Sequence, residues 1–476
     1  MSNTAPGTQH DGLATTATGP GSAADIPARI ERVPVGRFHF RLASIVGTGT
    51  FFDGFDAISV AVVLPAIVAA FGISFAEAGL IISAGYLGQF IGALVIGALS
   101  DRFGRKKAFI ISLTLFGLLS LACAFAWSST SLMVFRLIQG LGLGAEVPVA
   151  GTLISEYLGR KSRGKFAVVY QSLFTWGLFF APLVALLLTT TMGPEIAWRV
   201  LLGIGVLPLI VAVWAVFALP ESARWLAGKG RLPEAEALVS QLEREATAHG
   251  HTLAPLEPTT TPDTSHRFRM SEIFRGQYGR RTILLAILWF TTFFVTYGFS
   301  VWLPTMYVAI GGLPQQNSLI LTVILGAIQI AMAYVVASFV DRLGRKPTFI
   351  IGFAVATLGG LFGVVNIVLL GNTSWPILFV TGIILTIGIM LPTVTLYLYT
   401  AELYPTRMRG FATSSASSLS RVASIVSPFV FGFLLDGHGG AGAIFAILAG
   451  MAVVGLIAMS IGGIETRNRR LEEISR

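Results

Sequence analysis

Asp53 and Asp56 are the residues best placed to do chemistry. They lie in the stretch TFFDGFDAISV, residues 50–60, inside an apolar run from about Leu42 to Phe71. Residues three apart on a helix share one face, with ~5–6 Å between side-chain bases, so the two acids form a carboxylate pair. A buried pair of this kind can take up and lose a shared proton during a cycle. The plainer role is a structural cap or an ion pair with Arg421, in the later apolar run 411–436. Glu146 and Arg136 occupy a third run, 132–157. At ~1.5 Å of rise per residue, Asp53, Glu146 and Arg421 all fall near the middle of their runs. An arginine at that depth needs an anion, and its planar fork fits a carboxylate through two hydrogen bonds. The anion is Asp53, Asp56, Glu146 or a substrate carboxylate. Ionisable groups inside a membrane are functional by default, and the midplane is where transporter sites sit.

The elements that must position these groups are membrane helices. The chain has 476 residues, 54% hydrophobic and 12% charged, with mean hydropathy +0.76. Soluble domains carry about a quarter charged residues, so the composition is that of a membrane protein. Twelve apolar runs fit a ~30 Å hydrocarbon core as helices. They fall at about 42–70, 78–99, 108–127, 132–157, 166–190, 198–219, 283–308, 317–340, 348–370, 375–401, 411–436 and 441–463. Runs this long are helices and not barrel strands, which would be short and alternating.

The net charge of +9 reports topology and not nucleic acid. Of 33 Lys and Arg residues, all but Arg136, Arg199 and Arg421 fall at the two ends or in every second loop. The positive-inside rule then puts both termini in the cytoplasm. Residues 1–37 read as a disordered cytoplasmic tail without a cleavable signal, and 464–476 as a second short tail. The single cysteine, Cys123, excludes an internal disulfide, and none of the six histidines falls inside an expected span.

The chain is internally repeated. GALSDRFGRKK at 97–107 returns as ASFVDRLGRKP at 337–347. SEYLGRKSRGKF at 155–166 is echoed by AELYPTRMRGF at 401–411, and LPESARWL after the sixth span by GIETRNRRLEE after the twelfth. Two pseudo-symmetric six-helix bundles are expected, at 38–219 and 283–463. A polar cytoplasmic loop, 220–282, joins them. It holds a surface helix, Pro233–Glu245, and a Pro/Thr-rich piece near 254–264 without structure.

The duplicated DRxGRK loop, RLIQGLGLG in the fourth span and PESARWL after the sixth together resemble the major facilitator superfamily over roughly residues 38–470. The resemblance implies an all-α membrane protein of that fold, with two bundles around a cavity that opens alternately to each side. DGFD in the first span resembles the aromatic acid:proton symporter group. GLGLGAEVPVAGTLISE and the WF…YG..VWLP pattern of the seventh span are closer still to the bacterial niacin transporter group. The sugar-porter branch shares PESARWL and AELYPTRMRG. However, its paired glutamines in the seventh span and its Gly-Pro-x-x-Trp in the tenth are absent, and a sugar would not need Arg421.

This resemblance implies proton-coupled import of a small aromatic acid, with nicotinate preferred. The coupling set is Asp53, Asp56, Glu146 and Arg136, the last fitting an R-x-x-x-G-x-G pattern. The substrate set is Arg421 and Asp53, with Gln171 and Gln329 as polar groups. Among the aromatic residues able to stack on a ring are Phe52, Trp176, Tyr297, Trp302 and Tyr397. Asn366 is a further polar residue inside an apolar run. Asp101, Arg105, Glu156 and Arg163, with their counterparts Asp341, Arg345, Glu402 and Arg409, are expected to lock gates through ion pairs.

No cofactor, metal or nucleic acid is expected. The partners are a small organic anion, protons and the bilayer, around a monomer in a bacterial inner membrane. A proton gradient is the expected drive, since no G-x-x-x-x-G-K-[ST] loop occurs. The alternatives are a proton-coupled sugar porter and an exporter of a small organic acid. A membrane enzyme would need a nucleophile–base or metal constellation that the spans lack, and a receptor would be expected to add a sizeable signalling domain.

Overall fold

In the computed structural model, residues 25–256, 270–437 and 440–467 are described. Twelve helices or helix pairs are long and apolar enough to cross a membrane. The first bundle contains α2 (Arg37–Phe71), α3 (Phe75–Phe103), α4 (Arg105–Ala124), α5 (Ser129–Tyr157), α6 (Arg160–Met192) and a sixth span made of α7 (Pro194–Ile204) and α8 (Pro208–Ala218). The second contains α11 (Gly276–Ala309), α12 (Gln315–Leu343), α13 (Arg345–Val364), α14 (Trp375–Glu402), α15 (Thr406–Leu435) and α16 (Gly440–Gly462). Between the bundles run α9 (Ala223–Gly228), α10 (Leu232–Ala248) and a 3₁₀ turn, Met270–Phe274. Both described ends lie on the same face as the α3–α4, α5–α6, α12–α13 and α14–α15 connections. This is called the basic face below.

Two sequence expectations need correction. The segment before the first span is not wholly a disordered tail, because Asp25–Arg32 forms a helix, α1. Its Ile26 and Ile30 are buried against Ala223, Leu226, Ala235 and Val239 of α9 and α10. Arg29 and Arg32 both reach Glu243 at 2.7 Å. Burial alone would raise the Glu243 carboxyl, but hydrogen bonds from the two arginines outweigh it and hold the group below its ordinary range. The first span begins five residues earlier than expected, so His39 lies inside α2, buried, with Nε2 3.2 Å from the carbonyl of Tyr157. Asn366 sits in a π turn, Val365–Leu369, and its amide donates to Phe362 O of its own span at 2.9 Å. The expected loop helix is present and slightly longer, as α10. Most of the Pro/Thr-rich piece falls in 257–269, outside the described residues.

Glycine sets how closely the bundle helices approach. A Cβ at Gly88, Gly92, Gly140 or Gly144 would meet the backbone of the opposite helix across the α3–α5 contact. Gly54 and Gly177 do the same between α2 and α6. Small residues that let backbones touch are the usual device where lipid removes the hydrophobic drive for helix association.

The two bundles meet through α3 with α15, α6 with α12 and α2 with α11. Away from the basic face this contact is sealed. The N–H groups of Phe75 and Ala76, at the start of α3, donate to Asp436 at the end of α15 at 2.8 and 2.7 Å. The carboxylate therefore caps a helix of the other bundle, where the helix dipole favours an anion. Ser83 donates to Ile425 O at 2.7 Å, and Gly79 lies against Pro428 O. These bonds between the bundles lie in the half away from the basic face. Towards the basic face, Gln171 is exposed and Tyr397 is 53% exposed although both sit within membrane helices.

Candidate functional site

The acids of DGFD separate into two environments. Asp56 accepts from Arg136 Nη1 with both oxygens, at 2.9 and 2.8 Å, and from Gln139 Nε2 at 3.0 Å. Arg136 also donates to Gln139 Oε1 at 2.7 Å, and Gln139 donates onward to Ser120. Arg136 is 5% exposed and Asp56 4%, so this is a buried ion pair within one bundle. Its geometry depends on Gly85 of α3, where a Cβ would stand 3.1 Å from Arg136 Nη2. Asp56 is therefore a fixed partner of Arg136 and not half of a free carboxylate pair.

Asp53, 3% exposed, makes no hydrogen bond or ion pair with a described residue. It interacts by charge with Arg421, Asp56 and Glu146. Glu146, 1% exposed, accepts from Thr50 Oγ1 at 3.0 Å on Oε1, while its Oε2 has no partner. Its charge interaction is with Asp53. Two carboxyl groups thus stand without a cation in contact, on α2 and α5.

Arg421 also departs from expectation. No carboxylate pairs with it among the described residues, and its Nη1 instead donates to the Gln89 side-chain oxygen of α3. Tyr297 lies within the electrostatic reach of Arg421, Tyr397 and Asp53. Tyr170 lies within that of Glu146 and Tyr397. These groups, from α2, α5, α6, α11, α14 and α15, are linked to one another by charge interactions, and the Arg421–Gln89 bond among them crosses between the bundles.

A row of aromatic rings lies beside these groups. On α11, Trp289 stacks on Phe293 at 5.4 Å, and Phe293 on Tyr297 at 5.9 Å. The spacing of four keeps the three rings on one helix face. Tyr297 meets Tyr86 of the other bundle edge-on at 5.0 Å. Trp289 backs the exposed Tyr397 ring at 4.7 Å, with its own N–H held by Thr400 at 3.0 Å.

Other expected residues fall elsewhere. Trp302 is fully buried in the seal, donating to Pro428 O at 3.0 Å and touching Phe75, so it does not face the site. Trp176 joins a cluster with Phe179 and Phe180. Phe52 is 9% exposed and packs on Phe51 and Phe55. Gln171 is exposed, while Gln329 lines a small gap between the bundles with Ile58, Pro182 and Phe299.

The expected gate pairs close within each bundle. Arg105 binds Asp101 at 2.8 Å and Glu156 at 3.3 Å, and Arg345 binds Asp341 and Glu402 at 2.8 Å each. A fourth member completes each set. Glu221 accepts from the N–H groups of Arg105 and Lys106, and Glu465 from those of Arg345 and Lys346. Each caps the helix that follows a left-handed glycine, Gly104 or Gly344. The side chains of Arg163 and Arg409 lie outside the described residues.

Gln89, Gln139, Tyr86, Tyr170, Trp289, Phe293, Glu221 and Glu465 were missed by sequence reasoning. The W-x-x-x-F-x-x-x-Y spacing on α11 and the repeated PES/IET acids carried a usable signal. The glutamines and the two other tyrosines did not.

Two six-helix bundles of membrane-spanning length bring charged and aromatic side chains together where they meet. The family model described as "Sugar (and other) transporter" matches residues 43–476, and the chain belongs to this family. It is 34% identical over 455 residues to the niacin transporter NiaP of Acinetobacter baylyi, covering 94% of this chain and 99% of the relative. It is 32% identical over 447 residues to a gallate transporter of Pseudomonas putida, covering 92% and 95%. It is 27% identical over 454 residues to the 4-hydroxybenzoate transporter PcaK of Acinetobacter baylyi, covering 92% and 93%. Among solved structures, the D-xylose-proton symporter has a similar fold, with TM-score 0.73 at 18% identity, covering 90% of this chain and 99% of that one.

Proposed function

We propose that the protein imports a small aromatic monocarboxylate, nicotinate first, together with a proton. The observation that carries this reading is Arg421, a mid-membrane guanidinium between the bundles with no carboxylate partner among the described residues. It has donors to spare for a bidentate acid. Tyr297, within its electrostatic reach, and the exposed Tyr397 ring supply faces for a flat ring. The relatives named for niacin, gallate and 4-hydroxybenzoate favour the same substrate class.

Asp53 is the proton carrier in this scheme, with Glu146 behind it, because Asp56 is committed to Arg136. Ionised, Asp53 balances Arg421 across the site. Protonated, it leaves Arg421 to the substrate anion, so acid and proton bind together. With the basic face in the cytoplasm, as loop charges favour, the sealed half of the bundle contact faces outward. Asp101–Arg105 and Asp341–Arg345, with Glu156 and Glu402, hold the helices that must move as units when the cavity switches sides.

The test is a calorimetric or thermal-shift titration of purified protein with nicotinate, nicotinamide, benzoate and glucose. The amide keeps the ring and loses the anion, so it should bind at least about tenfold more weakly. Arg421→Lys should also bind nicotinate poorly, because a point charge cannot reproduce the two-pronged contact. Equal affinity for acid and amide, or tight glucose binding, would replace this reading with the sugar-porter one.

A further inference from the structure

The partner of Arg421 is chemically unexpected. A guanidinium at this depth is held by the neutral amide oxygen of Gln89, which comes from the opposite bundle. Gln89 is 3% exposed, and its own backbone is fixed because Gly144 of α5 lies directly against it. The amide oxygen is therefore a placed group and not a chance contact. It offers one neutral acceptor where a carboxylate offers two charged ones. The bond also ties α3 to α15, the helices whose outer halves form the seal.

We infer that Gln89 is a built-in stand-in for the substrate carboxylate, occupying Arg421 when the site is empty and displaced when an acid binds. The inference rests on the substrate reading above and adds the step that ejects the cargo. In the state open to the basic face, the amide competes with the carried acid for Arg421, lowering its affinity where release is needed. When the acid holds Arg421, the α3–α15 tie is broken and the seal is free to open. Gln89 thus couples occupancy of the site to the face on which it opens, without contacting the ring of the cargo.

The test compares Gln89→Ala and Gln89→Glu with wild type, using nicotinate and benzoate titrations and proton-driven uptake in proteoliposomes. Removing the competitor should tighten acid binding by about threefold or more, in the way any pre-paid conformational cost does when it is relieved. Turnover in net uptake should fall at the same time. Gln89→Glu places a permanent carboxylate against Arg421 and should weaken acid binding by about tenfold or more. Gln89→Asn, whose amide is one methylene short, should resemble Gln89→Ala and serves if the alanine variant does not fold. A wild type that binds neither acid overturns the substrate reading and this inference with it. A wild type that binds, with variants that all weaken binding or leave it unchanged, overturns the stand-in role alone. A purely structural tie could not produce opposite affinity changes from two substitutions of one residue.

Discussion

Replacing Asp56 by Asn separates the two acids of DGFD. The change keeps size and shape but leaves Arg136, 5% exposed, with no anion in contact. Arg136 Nε already lacks a partner, and the bond to Gln139 Oε1 that would remain brings no negative charge to balance the guanidinium. Breaking one side of a buried ion pair costs about 3–5 kcal/mol, mostly from the charge left behind. Asp53→Asn removes no hydrogen bond to a described residue and should cost under about 1 kcal/mol. The measurement is reversible unfolding of purified protein in detergent, without substrate. The double variant Asp56→Leu/Arg136→Met removes both charges and should recover more than half of the loss, because well-packed apolar replacements of buried pairs are often neutral. If Asp56→Asn unfolds within about 0.5 kcal/mol of wild type, or Asp53→Asn loses as much as Asp56→Asn, the division of roles drawn from the Arg136 contacts is wrong.

Asp53→Asn should abolish uphill accumulation of nicotinate in proteoliposomes while one-for-one exchange survives; a variant that still concentrates substrate on a proton gradient would remove Asp53 as carrier. The docking of α1 should depend on pH through Glu243. Its carboxyl is held below the ordinary range, so the stabilisation is fully present above the unfolded value of about 4.3 and is lost as pH falls through the folded value. Hydrogen exchange should therefore show Asp25–Arg32 protected near neutrality and released in acid, and Glu243→Gln should release it at both. Equal protection of α1 in the variant and wild type would mean that Ile26 and Ile30 alone hold it.

The fold was legible because lipid leaves few options. Twelve apolar runs, basic loops in alternation and two copies of DRxGRK fix a paired bundle before any contact is known. Asp53, Arg421 and Tyr297 could also be found, since polar groups are conspicuous in apolar helices. What could not be read was which group faces which. Helical spacing puts Asp53 and Asp56 on one side of α2, but Arg136 comes from α5 through a gap left by Gly85 of α3. That route is a tertiary fact with no periodicity to announce it. Trp302 looked like a site residue for the same reason, since an apolar helix does not disclose which ring is turned to a seal and which to a cavity. α1 was missed because eight residues with four charges resemble a solvated tail until α9 and α10 supply an apolar floor.

The glycine contacts between α3 and α5 have a consequence for how this chain can change over time. At Gly88, Gly92, Gly140 and Gly144 the obstacle to a side chain is backbone, which cannot turn aside as a flexible group can. Mutation at those positions is closed to nearly every outcome, whatever cargo is carried. Around Tyr397 and Gln171 the neighbour is open space, and substitutions there meet no such barrier. Heritable variation is thereby steered away from the scaffold and toward the cavity wall. A lineage can change its cargo by exchanging a few exposed side chains, while the frame that carries Arg421 and Gln89 stays as it is.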